Sequence, residues 1–290
     1  MPLPNLAARV LFAVVAIPVV IAAVWFGGGA LALLLAVASA LAAWELCRLA
    51  SAAGYAPFTW AATAIAGILP IAVWGYVLSE FAPPLLALGF IVMLAIVAAM
   101  LFRRAPDRRP LGAAAVTLFA VLYTGGTLSF AYALRYQMYT IGAAAGTALL
   151  LFPLVITWVT DTAAFFTGRA FGRRPLMPTV SPAKTVEGAV GGLIAAMLVA
   201  WGYVLWVLVP AASLAMRPMV ALLVGAAISI AAQVGDLAES LMKREAGMKD
   251  SSHLIPGHGG VLDRLDSLFF AIPAAFFIFT LPSVLIPVVR

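Results

Sequence analysis

Between Gly235 and Ser267 the chain gathers six carboxylates, Asp236, Glu239, Glu245, Asp250, Asp263 and Asp266, with four cations, Lys243, Arg244, Lys249 and Arg264. Long apolar runs flank the stretch, and ionisable groups set between such runs are costly unless they handle something charged. If the helix continues past Asp236, its period stacks Asp236, Glu239 or Ser240, and Lys243 on one face. Asp263 and Asp266 lie one turn apart before the next apolar run. Two pairs of hard oxygen donors on facing helices favour Mg²⁺ over zinc, because Mg²⁺ takes a few carboxylates and completes its shell with substrate phosphates. Spacing alone leaves open whether the pairs meet. Between them, Pro256-Gly257-His258-Gly259-Gly260 is either a plain turn or a loop whose backbone N–H groups approach a phosphate. His258 is correspondingly a satisfied loop histidine or a group facing substrate.

An earlier cluster repeats the theme. Asp161, Phe165 and Gly168 share a helical face that runs towards Arg169, Arg173 and Arg174. Ser181, Lys184 and Thr185 then precede an apolar run with Glu187 in its first turn, either as an ordinary cap or as a helix start that offers N–H groups to a phosphate.

The elements that position these residues are membrane helices. The chain has 290 residues, of which 65% are hydrophobic and 10% charged, a composition that excludes a soluble domain. The apolar runs are continuous rather than alternating, which disfavours a β-barrel. Crossing a bilayer core of about 30 Å takes about 20 helical residues. Nine such helices are expected, near residues 8–26, 30–50, 60–78, 84–102, 111–135, 143–166, 186–209, 218–246 and 268–288. The first is read as a retained helix and not a cleaved signal, because Gly27-Gly28-Gly29 leads directly into another apolar run. Pro57, Pro83-Pro84, Pro106, Pro110 and Pro210 fall at the connections, and Pro218 suits a first helical position.

Lysine and arginine test that count, since short cytoplasmic loops are enriched in them. With the N-terminus cytoplasmic, 14 of the 17 Lys and Arg residues fall on that side, and only Arg135, Arg217 and Arg290 on the other. The reading is therefore an all-α polytopic membrane protein of about nine transmembrane helices. Its N-terminus and charged stretch are cytoplasmic and its C-terminus extracytoplasmic, in the cell (inner) membrane. The division expected is 1–102 as N-terminal anchoring helices, 103–142 as a basic cytoplasmic loop with a connecting helix, and 143–290 as the catalytic region. The net charge of +6 belongs to topology and an anionic substrate, since no nucleic-acid module is visible. Glu45 and Arg48, one turn apart on the second helix, read as a snorkelling pair. Cys47 is the single cysteine, so no intrachain disulfide and no C-x-x-C metal or redox site can form.

The run Ser240-Leu-Met-Lys243-Arg244-x4-Lys249-Asp250-x-Ser252-x2-Ile255-Pro256-x-His258-Gly259-Gly260-Val-x-Asp263-Arg264-Leu-Asp266 resembles the signature of the phosphatidate cytidylyltransferases, with every required position filled. The Asp161 segment and Ser-Pro-Ala-Lys-Thr-Val-Glu-Gly are similar to other blocks of that family. The resemblance covers about Leu151 to Ser267; the first half matches only in being apolar helices. It implies transfer of a cytidylyl group from CTP to phosphatidate, giving CDP-diacylglycerol and pyrophosphate, with Mg²⁺ required, a second monovalent cation such as K⁺ in the site, and a homodimer. On this likeness Asp236 and Asp263, with Asp266 beside them, correspond to metal positions. Asp236, Asp263, Lys243 and Arg264 are the expected catalytic residues. Ser181, Lys184, Thr185, Arg244, Lys249, Asp250, His258, Gly259 and Gly260 are expected at the substrates. The rival readings are a CTP-dependent polyprenol or phytol kinase, which transfers the γ-phosphate, and a cation-coupled secondary transporter. No inverted repeat of the transporter kind is apparent.

Overall fold

The computed structural model describes residues 3–78, 85–103, 109–137, 142–255, 257 and 259–288. Glu80, Pro83-Pro84, the basic loop from Arg104 to Arg108, Pro256, His258 and Arg290 lie outside the described residues, as do the side chains of Arg9 and Arg103.

Among the described residues, a helical segment lies at each of the nine expected positions: α1 (Leu3–Phe26), α2 (Gly28–Ala52), α3 (Thr59–Leu78), α4 (Leu85–Arg103), α5 (Pro110–Arg135), α6 (Ala143–Phe171), α7 (Val186–Ala212), α8 (Pro218–Glu245) and α9 (Leu268–Thr280). Six of them, α2, α3 up to Val77, and α5 to α8, are long and apolar enough to cross a membrane. The chain is thus an all-α polytopic membrane protein. Local chemistry sets the boundaries. Gly27, at φ 63°, separates α1 from α2 in a conformation that glycine adopts readily. Pro110 and Pro218 open α5 and α8, where a missing N–H leaves no bond unmade.

Three boundaries differ from expectation, the first being the start of α1 at Leu3, five residues before residue 8. α6 continues five residues beyond Phe166, to Phe171, carrying Asp161 and Arg169 on one unbroken helix. α9 stops at Thr280 and not near Val288, because Leu281 precedes Pro282 and takes the extended backbone (ψ 137°) that a following proline favours. The released segment forms β4 (Ile286–Pro287), which pairs antiparallel with β3 (Leu214–Ala215).

The chain divides into two compact units. The first comprises Met1–Tyr132 and Met242–Arg264; the second comprises Ala133–Leu241 and Leu265–Arg290. In the first, α2 packs extensively on α3, with Gly67 close to Ala40 and the Ala36 carbonyl, and Leu35, Ala42, Leu46, Ala62 and Ala66 of these helices are buried. A π-helical stretch of α5, Val121–Gly126, carries Gly125 against the Ala66 backbone; a Cβ there would meet the Ala66 carbonyl oxygen at 2.5 Å.

In the second unit, α6 and α7 form the most extensive helix pair, and Phe152 packs edge-on against Tyr203 and Phe279. The Tyr203 hydroxyl donates to the Ala148 carbonyl at 2.8 Å, which satisfies the polar end of a half-buried ring. An antiparallel hairpin of β1 (Pro175–Met177) and β2 (Ser181–Thr185) connects α6 to α7. Glu187 holds its base, accepting from the Arg173 and Arg174 amides at 3.0 and 3.2 Å.

Candidate active site

Within the second unit, α6, β2, α7 and α8 enclose a cavity of about 490 Å³. Asp161, Gly168 and Arg169 reach it from α6, Ser181, Lys184 and Thr185 from β2, and Gln233 and Asp236 from α8. Lys184 and Asp236 form a half-exposed ion pair across it. The expected helical stacking on α8 is present, since Ser240 Oγ donates to Asp236 Oδ1 at 3.4 Å, one turn away. Thr185 is the N-cap of α7 and accepts from the Gly188 amide at 3.1 Å, so its hydroxyl serves the helix while its side chain lines the cavity. Gln233 was not singled out from the sequence. It donates at 3.3 Å to Ser229 Oγ, which in turn accepts from Thr160 at 3.0 Å, so a polar ladder runs between apolar helices to the cavity wall. Asp266 belongs to the same unit. Its backbone packs on Gly235, where a Cβ would sit 2.5 Å from the Asp266 carbonyl oxygen, and its Oδ1 accepts from the Ser267 amide at 2.6 Å.

Within the first unit, Asp263 organises the loop from Ser251 onward. It is buried, and Lys243 Nζ donates to Oδ1 at 2.7 Å. Its Oδ2 accepts from the Ser251 amide at 2.9 Å, the Ser251 hydroxyl at 2.8 Å and the Gly260 amide at 2.8 Å. A buried carboxylate requires such donors, and these also orient it. Gly259, at φ 80°, makes the bridge to Ile255 that closes the loop. Arg244, Lys249 and Arg264 are exposed and Asp250 is half-buried.

A second carboxylate enters here that sequence reasoning placed elsewhere. Glu45 of α2 is fully buried and accepts from Ser251 Oγ (3.0 Å), Ser252 Oγ (2.5 Å), the Val261 amide (3.0 Å) and the Leu262 amide (2.6 Å). Arg48, its expected partner, instead lies over the Trp44 ring at 4.8 Å. The one signal in the sequence is an acid inside an apolar helix, which needs donors, and Arg48 one turn away offers a nearer partner than the loop that supplies them.

The donors suit a hard divalent cation. Asp161 and Asp236 line one open cavity, and Lys184 already places a cationic nitrogen against Asp236. Asp263 keeps Oδ1 turned to a cation while N–H and O–H donors occupy Oδ2. Among the described residues, no three His, Cys, Asp or Glu side chains converge in metal-binding geometry. Mg²⁺ does not demand such a cage, because it retains water and takes phosphate oxygens beside one or two carboxylates.

Comparison with known proteins agrees with this chemistry. Over 141 residues, the chain is 45% identical to the phosphatidate cytidylyltransferase of Haemophilus influenzae, covering 48% of each chain. With the protein of the same name from Bacillus subtilis it shares 40% over 138 residues, 48% of this chain and 49% of the other. With that from Staphylococcus haemolyticus it shares 39% over 160 residues, 55% and 56% respectively. The matched segment thus spans about half the length of these curated relatives. A model of the cytidylyltransferase family matches residues 7–281, nearly the whole sequence, and the chain therefore belongs to the cytidylyltransferase family.

Proposed function

We propose that the chain is a phosphatidate cytidylyltransferase. A phosphatidate oxygen attacks the α-phosphorus of CTP, the new O–P bond forms as the bond to the β-phosphate oxygen breaks, and CDP-diacylglycerol and pyrophosphate are the products. The observation that carries this reading is the Lys184–Asp236 pair on the wall of a cavity also lined by Ser181, Thr185, Arg169 and Asp161. It suits a polyphosphate with its counter-ion, and the relatives' names supply the lipid acceptor.

The attacking oxygen is already anionic at neutral pH, so the chain's task is neutralising and aligning two anions rather than abstracting a proton. Lys243 and Arg264, with Lys184, Arg244 and Lys249, bind the phosphates of CTP and the lipid headgroup. Ser181, Thr185, Asp250, His258, Gly259 and Gly260 complete the substrate contacts. Asp236 and Asp266 in the second unit and Asp263 in the first are the carboxylates that would hold Mg²⁺, and a monovalent cation such as K⁺ would be the second ion. When bound, the divalent ion would supply charge stabilisation to the phosphate oxygens and the leaving pyrophosphate. Acyl chains remain in the bilayer. The chain acts as a homodimer in the inner membrane with its site facing the cytoplasm, residues 1–102 anchoring it, 103–142 connecting and 143–290 carrying catalysis.

The test is purified protein with Mg²⁺, phosphatidate and CTP labelled at the α-phosphate. Label entering the lipid phase is the expected result. Transfer of γ-label instead, with CDP released, identifies a kinase, and no transfer of either label rejects both readings.

A further inference from the structure

Asp263 cannot hold its own loop. From Ser251 to Val261 the backbone has no regular secondary structure apart from the Ile255–Gly259 bridge and turns among the described residues, yet Ser251, Ser252 and Gly260 are buried. Buried N–H groups in such a segment need acceptors. Two carboxylates provide them, and they interlock. Asp263 takes the Ser251 and Gly260 amides, while Glu45 takes those of Val261 and Leu262 and the Ser252 hydroxyl. The Ser251 hydroxyl lies between them, 2.8 Å from Asp263 Oδ2 and 3.0 Å from Glu45 Oε2. Gly260 has no room for a side chain, because a Cβ would lie 2.5 Å from each Glu45 oxygen.

We propose that Glu45 is a positioning residue for the transfer reaction: it clamps the 251–262 loop from the neighbouring helix and thereby aims the Asp263 carboxylate. The inference rests on the proposed cytidylyl transfer for its kinetic consequence, but not for its structural one. Glutamine has the right shape and the wrong donors. Each Glu45 oxygen accepts one backbone N–H, and an amide –NH₂ in place of either oxygen sets donor against donor. The two serine hydroxyls can rotate to adapt; the amides of Val261 and Leu262 cannot.

The experiment compares wild type, Glu45→Gln, Glu45→Asp and Ser252→Ala in detergent, reading amide hydrogen exchange by peptide and steady-state transfer on the same samples. In Glu45→Gln, exchange across 250–262 speeds about tenfold or more while α7 keeps its protection. kcat falls about 10- to 100-fold, as expected of a misaligned reacting group, and KM for CTP stays within about threefold. Glu45→Asp restores the carboxylate and recovers part of kcat. Wild-type exchange in the loop, or faster loop exchange with unchanged kcat, overturns the proposal. So does faster exchange throughout α7, which makes Glu45 a general stabiliser. If Glu45→Gln cannot be extracted folded, Ser252→Ala decides in peptides that cover 259–262, because Ser252 Oγ donates to Glu45 but also accepts from the Leu254 amide at 3.2 Å, where exchange rises in any case. Faster exchange at Val261 and Leu262 supports the clamp and unchanged exchange there sinks it. Absence of transfer by the wild type defeats the assigned reaction alone, and loop exchange still reports whether Glu45 holds the segment.

Discussion

At Asp263 the two carboxylate oxygens have different work, and that makes a single substitution informative. In Asp263→Asn the remaining carbonyl oxygen can take the place of Oδ2 and keep the Ser251 and Gly260 amides. The new –NH₂ then faces the Lys243 ammonium, donor against donor. The loop is retained and the charge is lost, so transfer is expected to fall at least about 100-fold while the protein remains monodisperse in detergent. Near-normal label transfer to lipid removes Asp263 from the chemistry. Lys184 is a milder case, half-exposed and paired with Asp236 in the cavity. Lys184→Ala is expected to raise KM for CTP about tenfold, the scale of one lost charge-assisted hydrogen bond, with a smaller change in kcat; an unchanged KM places the nucleotide phosphates elsewhere.

Helices α6 and α7 approach so closely because of glycine. A Cβ on Gly188 would meet the Ala164 carbonyl oxygen at 2.7 Å and the Gly168 Cα at 3.2 Å, and backbone atoms cannot step aside as a side chain can. Gly188→Ala is therefore expected to destabilise by about 1–3 kcal/mol, the usual range for overpacking, measured as a lower thermal midpoint in detergent. A Cβ added to Gly75 in α3 would meet nothing within 4 Å among the described residues, so Gly75→Ala is the control that leaves the midpoint unchanged or slightly raised. A drop of equal size in both variants contradicts the packing argument. Elements of this length were readable in advance, because apolar runs bounded by Gly27, Pro110 and Pro218 define a helix whatever packs on it. The β1–β2 hairpin was not, since Pro175–Met177 and Ser181–Thr185 have too few residues for any alternation to register. Nor was the Glu45 clamp: its serine partner lies 206 residues away, and the nearby Arg48 offered a plausible local pair.

For the chain as a whole, the asymmetry of lysine and arginine is the argument for which side faces the cytosol. Fourteen of seventeen lie on one side under the proposed orientation, including every cation of the signature run. Substrate supply adds a reason of its own, because CTP is cytosolic and cannot cross the bilayer. The proposal is testable with one reporter thiol at a time. Cys47 is buried and is the sole native cysteine, so Cys47→Ala gives a silent background. His253 and Arg217 are both exposed and lie in stretches assigned to opposite sides. In intact cells a membrane-impermeant maleimide is expected to label Arg217→Cys and spare His253→Cys; in inverted vesicles the pattern reverses. Labelling of both from the same side removes a crossing between them, and the opposite pattern in intact cells turns the molecule over, leaving the acidic and basic cluster on the face where no CTP is found.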